Sequence, residues 1–506
     1  MLRRMYFVFA LITAWISFAS LPTAAQSGRT FYIDYASGSN SNAGTSTGAA
    51  WKSHPYMRNA AGCAGAPHAY TPQAGDRFIF KGGVTWPNAC FAMILGAGGT
   101  SGAQNYYGVD KSWYSGGSWT RPIFDLQNTL TSGDYRLSVI LIVYSYITFD
   151  NLEIKNQLGG NSGGDPSVNS TYNAYGTSGV IIENGYNHGY TKSQANVLLS
   201  NQDSEGGVYG ASLVDHMTFS DSDGGMIGQP SGSVPLMGCA YQVLEFRNST
   251  CDTYAQGVNG GASVHDNEFS NGKGAVQNYV GVHTNDIQDT WEGSMAVYNN
   301  LLHDSNTGQH IAVTPNGRVY NNVIWNISGG SGGTPIGFDT GIVNAKNYPG
   351  SVGYALNNTI DCRGDSSCIN TSARSGTTYG TVYIKNNILI TDGTAIDAGT
   401  GGTQVRTTNY PMPTAEATTY GFTIARKYYP SSSGSTVVGQ ATNLSSSCSA
   451  SLAALCYDTG GAPWYGTSYV GRPSGTLASW NAGAYEFSGQ QSSNPAAPSG
   501  LVAILQ

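Results

Sequence analysis

Three features predict an all-β chain wound as a right-handed parallel β-helix, a solenoid with an N-terminal cap and a C-terminal closing region. They are a recurring six-residue frame, a composition rich in turn formers and aromatics, and no sustained 3.6-residue periodicity. The frame runs apolar residue, any residue, Asp or Asn, Asn, any residue, apolar residue. It occurs at Val264–Phe269, Val297–Leu302, Val319–Ile324, Ala355–Ile360 and Ile384–Leu389. Val214–Phe219 keeps the apolar positions without the Asn.

The five starts are separated by 33, 22, 36 and 29 residues, so the shortest interval suggests a coil of about 22 residues with loops inserted elsewhere. A second short apolar element follows each frame at Val258, Val276, Ile311, Ile336, Ile369 and Ile396. Each coil therefore reads as strand, turn, strand, turn. Asn tolerates the left-handed backbone needed at a bend, and stacked amides can bond along a column. These asparagines are predicted to be structural.

Composition agrees. Glycine accounts for 68 of 506 residues and tyrosine for 33, while charged residues make up only 10%. Plentiful aromatics exclude a charge-rich disordered chain. The formal charge of -7 excludes a general nucleic-acid binder, because phosphate neutralisation needs Lys and Arg clusters.

Residues 1–25 read as a signal peptide. Arg3 and Arg4 precede an apolar run from Tyr6 to Phe18, and Thr23-Ala24-Ala25 supplies the small-residue cleavage pattern. No later run is long enough to span a bilayer, so a secreted protein, extracellular or periplasmic and monomeric, is expected. Eight cysteines fall into four pairs close in sequence: Cys63 with Cys90, Cys239 with Cys251, Cys362 with Cys368, and Cys448 with Cys456. An even count in an exported chain favours disulfides, each stapling one loop. The expected segments are a cap with first strands at 26–135, the helix at 136–400, closure at 401–487 and a linker-like tail at 488–506.

The chain resembles the right-handed β-helix superfamily that includes pectate-lyase-like secreted proteins. Phe31–Asp34 with Gly38–Gly44 and Trp51-Lys52 is similar to the opening of its secreted members. Ala74–Phe80 is similar to their first-strand entry, and Asn481–Phe487 to their closing motif. The resemblance implies an extracellular polysaccharide as partner. It does not choose a chemistry, because the superfamily includes lyases, hydrolases, epimerases and proteins without activity. Its lyases abstract a proton with Lys or Arg and often use Ca²⁺. Val214–Gly224 resembles their Asp-His segment, which makes Asp221 and Asp223 candidate Ca²⁺ ligands or else an ordinary turn.

Four of the eight histidines, His265, His283, His303 and His310, fall within 46 residues, together with Asp266, Asp286, Asp289, Glu292 and Asp304. Ile287 and Ile311 lie about one coil apart. If both point inward, Asp286 and His310 point outward, one above the other, as an acid/base pair or as solvated surface groups. Asp286, His310, His283 and Asp289 are thus the candidate catalytic residues, and Asp289 serves only if its strand ends there. Trp291, Gln288 and Glu292 are the candidate substrate contacts. Tyr106, Tyr107, Trp113, Tyr114 and Trp119 suit either sugar stacking or packing of the cap on the first coil. Two readings follow: a glycoside hydrolase or polysaccharide lyase, and a non-catalytic solenoid that binds glycan or decorates a cell surface.

Overall fold

The computed structural model describes residues 28–58, 63, 70–128, 138–159, 170–174, 176–189, 191–192, 207–220, 239–252, 254, 257–272, 285–289, 294–305, 309–327, 334–341, 345–431, 437–474 and 479–487. Among them, the chain forms a 21-stranded sheet, a 12-stranded sheet and one two-stranded pair, and every ladder between named strands is parallel. This is the parallel β-helix that the repeats predict. Its right-handed sense is the one in which parallel crossovers pack.

Each coil carries three strands rather than two. In one coil these are Ile287–Gln288, Ala296–Tyr298 and Leu301–His303, and in the next Gln309–Val313, Arg318–Tyr320 and Val323–Trp325. The first two faces merge into one large sheet because strands such as Ala240–Arg247 and Val258–His265 run through the bend between them. Coil length also varies more than the frames suggest. Ser249 N–H donates to Asn267 Oδ1 across a sequence separation of only 18. Val276 lies outside the described residues; Ile287 holds that rung, between Val258 and Ile311.

Middle residues of successive strands fill the interior in columns. One is Phe149, Ile182, Val214, Phe246, Val264, Val297, Val319 and Ala355, all but fully buried. Each large apolar side chain stabilises by roughly 1.5–3 kcal/mol.

The paired Asp/Asn-Asn positions divide the labour at the bend. The first residue takes the left-handed conformation, as at Asp266, Asn299, Asn321, Asn357 and Asn386, with φ of 60°, 54°, 56°, 52° and 59°. The second forms a buried amide ladder, Asn267 to Asn300, Asn322, Asn358, Asn387 and Asn409, with Nδ2–Oδ1 distances of 2.9–3.0 Å. Each Oδ1 of the ladder also accepts the backbone N–H of the residue below.

The N-terminal segment contributes coils of its own, since Thr30–Ile33 already pairs in parallel with Arg77–Phe80. Tyr107 is buried and stacks between Phe78 and Phe149 at 4.8 Å, so it packs the core. Trp113 meets Tyr32 edge-on at 5.3 Å. Beyond Met412 the chain runs back along the outside of the bend. There Trp464 Nε1 donates to Asn299 O at 2.7 Å, Asn321 Nδ2 to Tyr457 O at 2.9 Å and Tyr469 Oη to Asp266 Oδ1 at 2.6 Å.

Four disulfides join the cysteines in the pairs expected from their spacing. Cys63 bonds to Cys90, Cys239 to Cys251, Cys362 to Cys368, and Cys448 to Cys456. The loops they close span 27, 12, 6 and 8 residues, so each bridge is a local staple, and no described cysteine is free. The Cys239 to Cys251 bridge links two strands of one coil, Cys251 lying within Thr250–Asp252 and Cys239 immediately before Ala240–Arg247. No helix among the described residues is long and apolar enough to cross a membrane.

Candidate functional site

Asp286 and His310 do stack on adjacent coils, with Nδ1–Oδ2 at 2.6 Å, but both are fully buried. The outward orientation expected from alternation is wrong for this rung. The same rung carries Cys239, Gly257 and Cys368, each immediately preceding a residue of the Ala240, Val258, Ile287, Ile311, Ile336 and Ile369 column. Both cysteines are buried in disulfides, and a Cβ at Gly257 would meet the Phe269 ring at 2.9 Å. The rung therefore faces the interior at a corner of the coil, where two consecutive residues can both turn inward.

Asp286 Oδ1 accepts the Tyr254 hydroxyl at 2.6 Å, and that hydroxyl lies 3.2 Å from Ser305 Oγ. Burial and the Asp286 charge push the Tyr254 phenol well above its ordinary range. Beside them Asn285 Nδ2 donates to Gln288 Oε1 at 2.6 Å, and Thr314 Oγ1 to Asp289 Oδ2 at 3.0 Å. The strand does end at Gln288, but Gln288 and Asp289 are also fully buried. Asp286 and His310 thus join Tyr254 in an internal polar corner, while Gln288 and Asp289 are buried beside it with partners of their own in Asn285 and Thr314. His283, Trp291, Glu292, Asp221 and Asp223 lie outside the described residues. Among the described residues no group of three or more His, Cys, Asp or Glu is placed to hold a metal.

A second line of ionisable groups lies on the outward side of the solenoid, where Asp215 and His265 are nonetheless largely buried. In the column Asp150, Glu183, Asp215, Arg247, His265, each residue follows an inward apolar residue and precedes the left-handed residue of the bend. Alternation turns all five outward, on rungs ~4.8 Å apart. The sequence signal is the triplet apolar, charged, Asn/His/Asp at Phe149–Asn151, Ile182–Asn184, Val214–His216, Phe246–Asn248 and Val264–Asp266.

Their environments differ. Asp150 accepts the Tyr106 hydroxyl at 2.5 Å and the side-chain amides of Asn151 and Asn184 at 2.6 and 2.8 Å. Asp215 accepts Asn248 Nδ2 at 2.8 Å and Arg247 Nη2 at 3.0 Å, and lies 2.7 Å from His216 Nδ1. Burial works against the Asp215 charge, but hydrogen bonds from His216, Asn248 and Arg247 outweigh it and lower its pKa to about 2. Half-buried Glu183 accepts no side-chain hydrogen bond among the described residues. Burial first, then the charges of Asp150 and Asp215, raise its pKa above the usual carboxylate value.

Arg247 also donates to Glu245 Oε1 at 2.9 Å, and His265 bridges Glu245 at 3.1 Å and Asp266 at 2.6 Å. Burial opposes the His265 charge, but these two carboxylates raise its pKa to about 9. Its ring stacks on Tyr298 at 4.5 Å, and Tyr298 stacks on Tyr320 at 4.8 Å.

Fold and column define the class: a parallel β-helix bearing a line of outward ionisable groups along successive coils. No protein-family model matches the chain, and no curated protein matches it. Among solved structures, the chain is similar to a GH136 lacto-N-biosidase from Eubacterium ramulus, at 14% identity and a TM-score of 0.39, over 76% of this chain and 68% of that one. It is similar to pectate lyase Pel9A at 13% identity and a TM-score of 0.38, over 91% and 96%. A PL6 alginate lyase, AlyGC, aligns at 14% identity and a TM-score of 0.36, over 68% and 50%.

Proposed function

We propose that the protein is a secreted glycoside hydrolase acting on an extracellular polysaccharide, with Glu183 as proton donor and Asp215 as its ionised partner. The carrying observation is the opposite displacement of two carboxyls on adjacent rungs. Glu183, between two acids and without a side-chain donor among the described residues, keeps its proton to higher pH than an ordinary carboxyl, while Asp215, with three donors, loses its proton at lower pH. Pairs of carboxyls pushed apart in this way divide the acid and anionic roles of glycosidic cleavage. The rung spacing of ~4.8 Å suits the ~5–5.5 Å separation of a retaining pair. Asp150, on the other side of Glu183, sustains its raised pKa. An outward line crossing successive coils fits a linear polymer.

Hydrolysis is favoured over β-elimination because Arg247, the one Lys or Arg of the column, is held in its charged form by Asp215 and Glu245 and is a poor base for proton abstraction. Secretion is supported by the signal-like first 25 residues together with four disulfides. Incubation of the mature protein with a glycan panel, reading new reducing ends and unsaturated-uronate absorbance together, tests the proposal. Reducing ends without absorbance support hydrolysis. Both signals mean elimination, and binding with neither signal means a non-catalytic glycan-binding solenoid.

A further inference from the structure

Away from the column, a cavity of about 310 Å³ lies where the C-terminal segment rests on the last coils. Its walls include Arg363 and Ile390 of the solenoid side, Thr418 of the short helix Thr414–Thr419, and Phe422, Thr423 and Tyr428 of the following turns. The volume is at the low end of the ~300–1,000 Å³ typical of ligand sites, room for one small ring rather than an oligomer.

The chemistry of the wall selects the ring. Arg363 donates through Nε to Asp361 Oδ1 at 2.7 Å and through Nη2 to Asp361 Oδ2. The Tyr428 hydroxyl donates to the same buried carboxylate. The guanidinium is therefore neutralised in a two-pronged pair, yet its side chain remains 47% exposed. Its Nη1 makes no bond among the described residues, which leaves donors facing outward without net charge. Asp392, held by Thr414 at the cavity's edge, adds negative charge nearby. An anionic ligand would find its cation already taken and a carboxylate close by. A cationic ligand would face the guanidinium edge. Threonine hydroxyls and N–H donors beside Phe422 and Ile390 match a ring with hydroxyls on its rim and C–H groups on its faces.

We propose that this cavity is an accessory subsite for a single uncharged sugar residue. It anchors a glycan at a point separate from the Asp150–His265 column, and it does not depend on catalysis there. The test is saturation-transfer NMR with methyl glycosides of a neutral hexose, a hexuronate and an amino hexose, applied to the protein and to Glu183→Gln. The neutral glycoside is expected to bind both alike and better than the charged ones. Thr418→Trp, a substitution on the exposed side of the helix that fills the cavity, should weaken binding by roughly tenfold or more. Arg363→Met should do the same by removing the donors. Failure of every glycoside to bind, equal or stronger binding of the hexuronate, or binding unchanged in Thr418→Trp overturns the proposal. Loss of turnover in Glu183→Gln with sugar binding intact bears only on the column.

Discussion

Glu183 and Asp215 face the same way from paired positions on adjacent coils, and their carboxyls are driven in opposite directions. The difference lies in hydrogen bonding. Asp215 has His216, Asn248 and Arg247 around it, whereas Glu183 has two neighbouring anions and no donor of its own among the described residues.

The pH dependence of activity should follow from that split. Turnover needs Asp215 charged and Glu183 protonated, so activity should fall at the acid limb as pH approaches about 2 and at the basic limb above the raised pKa of Glu183. Arg247→Met removes a donor to Asp215 and should move the acid limb to higher pH. A pH profile of kcat/KM for both proteins checks this, and an unmoved limb would separate Asp215 from the chemistry.

The stability of the bend should depend on the second Asn of each pair. Asn322 donates to Val297 O and Asn358 Oδ1 at 3.0 Å, and accepts from Asn300 N and Nδ2 at 3.1 and 3.0 Å, all without solvent. Asn322→Ala leaves those groups unpaired and should cost about 2–4 kcal/mol, measured by chemical denaturation. Asn271→Gly, at an exposed left-handed position with φ of 56° and, among the described residues, a single side-chain bond to Asp252, should cost less, because glycine adopts that backbone freely.

His265 should make stability pH-dependent. Its folded pKa of about 9 lies above the ordinary value of 6.5, so its contribution is complete below about 6.5 and is lost as pH rises through about 9. Melting temperature should decline across that window, and His265→Gln should flatten the decline. Parallel curves for the two proteins would contradict the assignment.

The buried corner should behave as structure. His310→Ala removes the partner of Asp286 in a region without solvent and should cost about 2–4 kcal/mol, while the folded fraction retains its kcat/KM.

How far the sequence reached is seen in these residues. The Asn frame and the apolar columns were legible because a solenoid repeats its register, so Val264, Val297 and Val319 announce one another. The pairing of Cys63 with Cys90, Cys239 with Cys251, Cys362 with Cys368 and Cys448 with Cys456 was legible because each pair closes a short loop. The orientation of Asp286 and His310 was not, because strict alternation holds within a strand and fails at a corner, and Ile287–Gln288 is only two residues long. The column is not legible for a different reason. Its members differ in chemistry from coil to coil, so Asp150, Glu183, Asp215, Arg247 and His265 do not repeat, although their position between an apolar residue and the bend does.

The most direct measurement is kcat/KM for Glu183→Gln, Asp215→Asn and His310→Ala on whichever polysaccharide the panel shows to be cleaved, each corrected for the folded fraction. Losses of roughly 10²–10⁴-fold are expected for the first two, with His310→Ala near the unsubstituted protein. Full activity in Glu183→Gln, or a comparable loss in folded His310→Ala, would contradict the assignment of the reaction to the outer column.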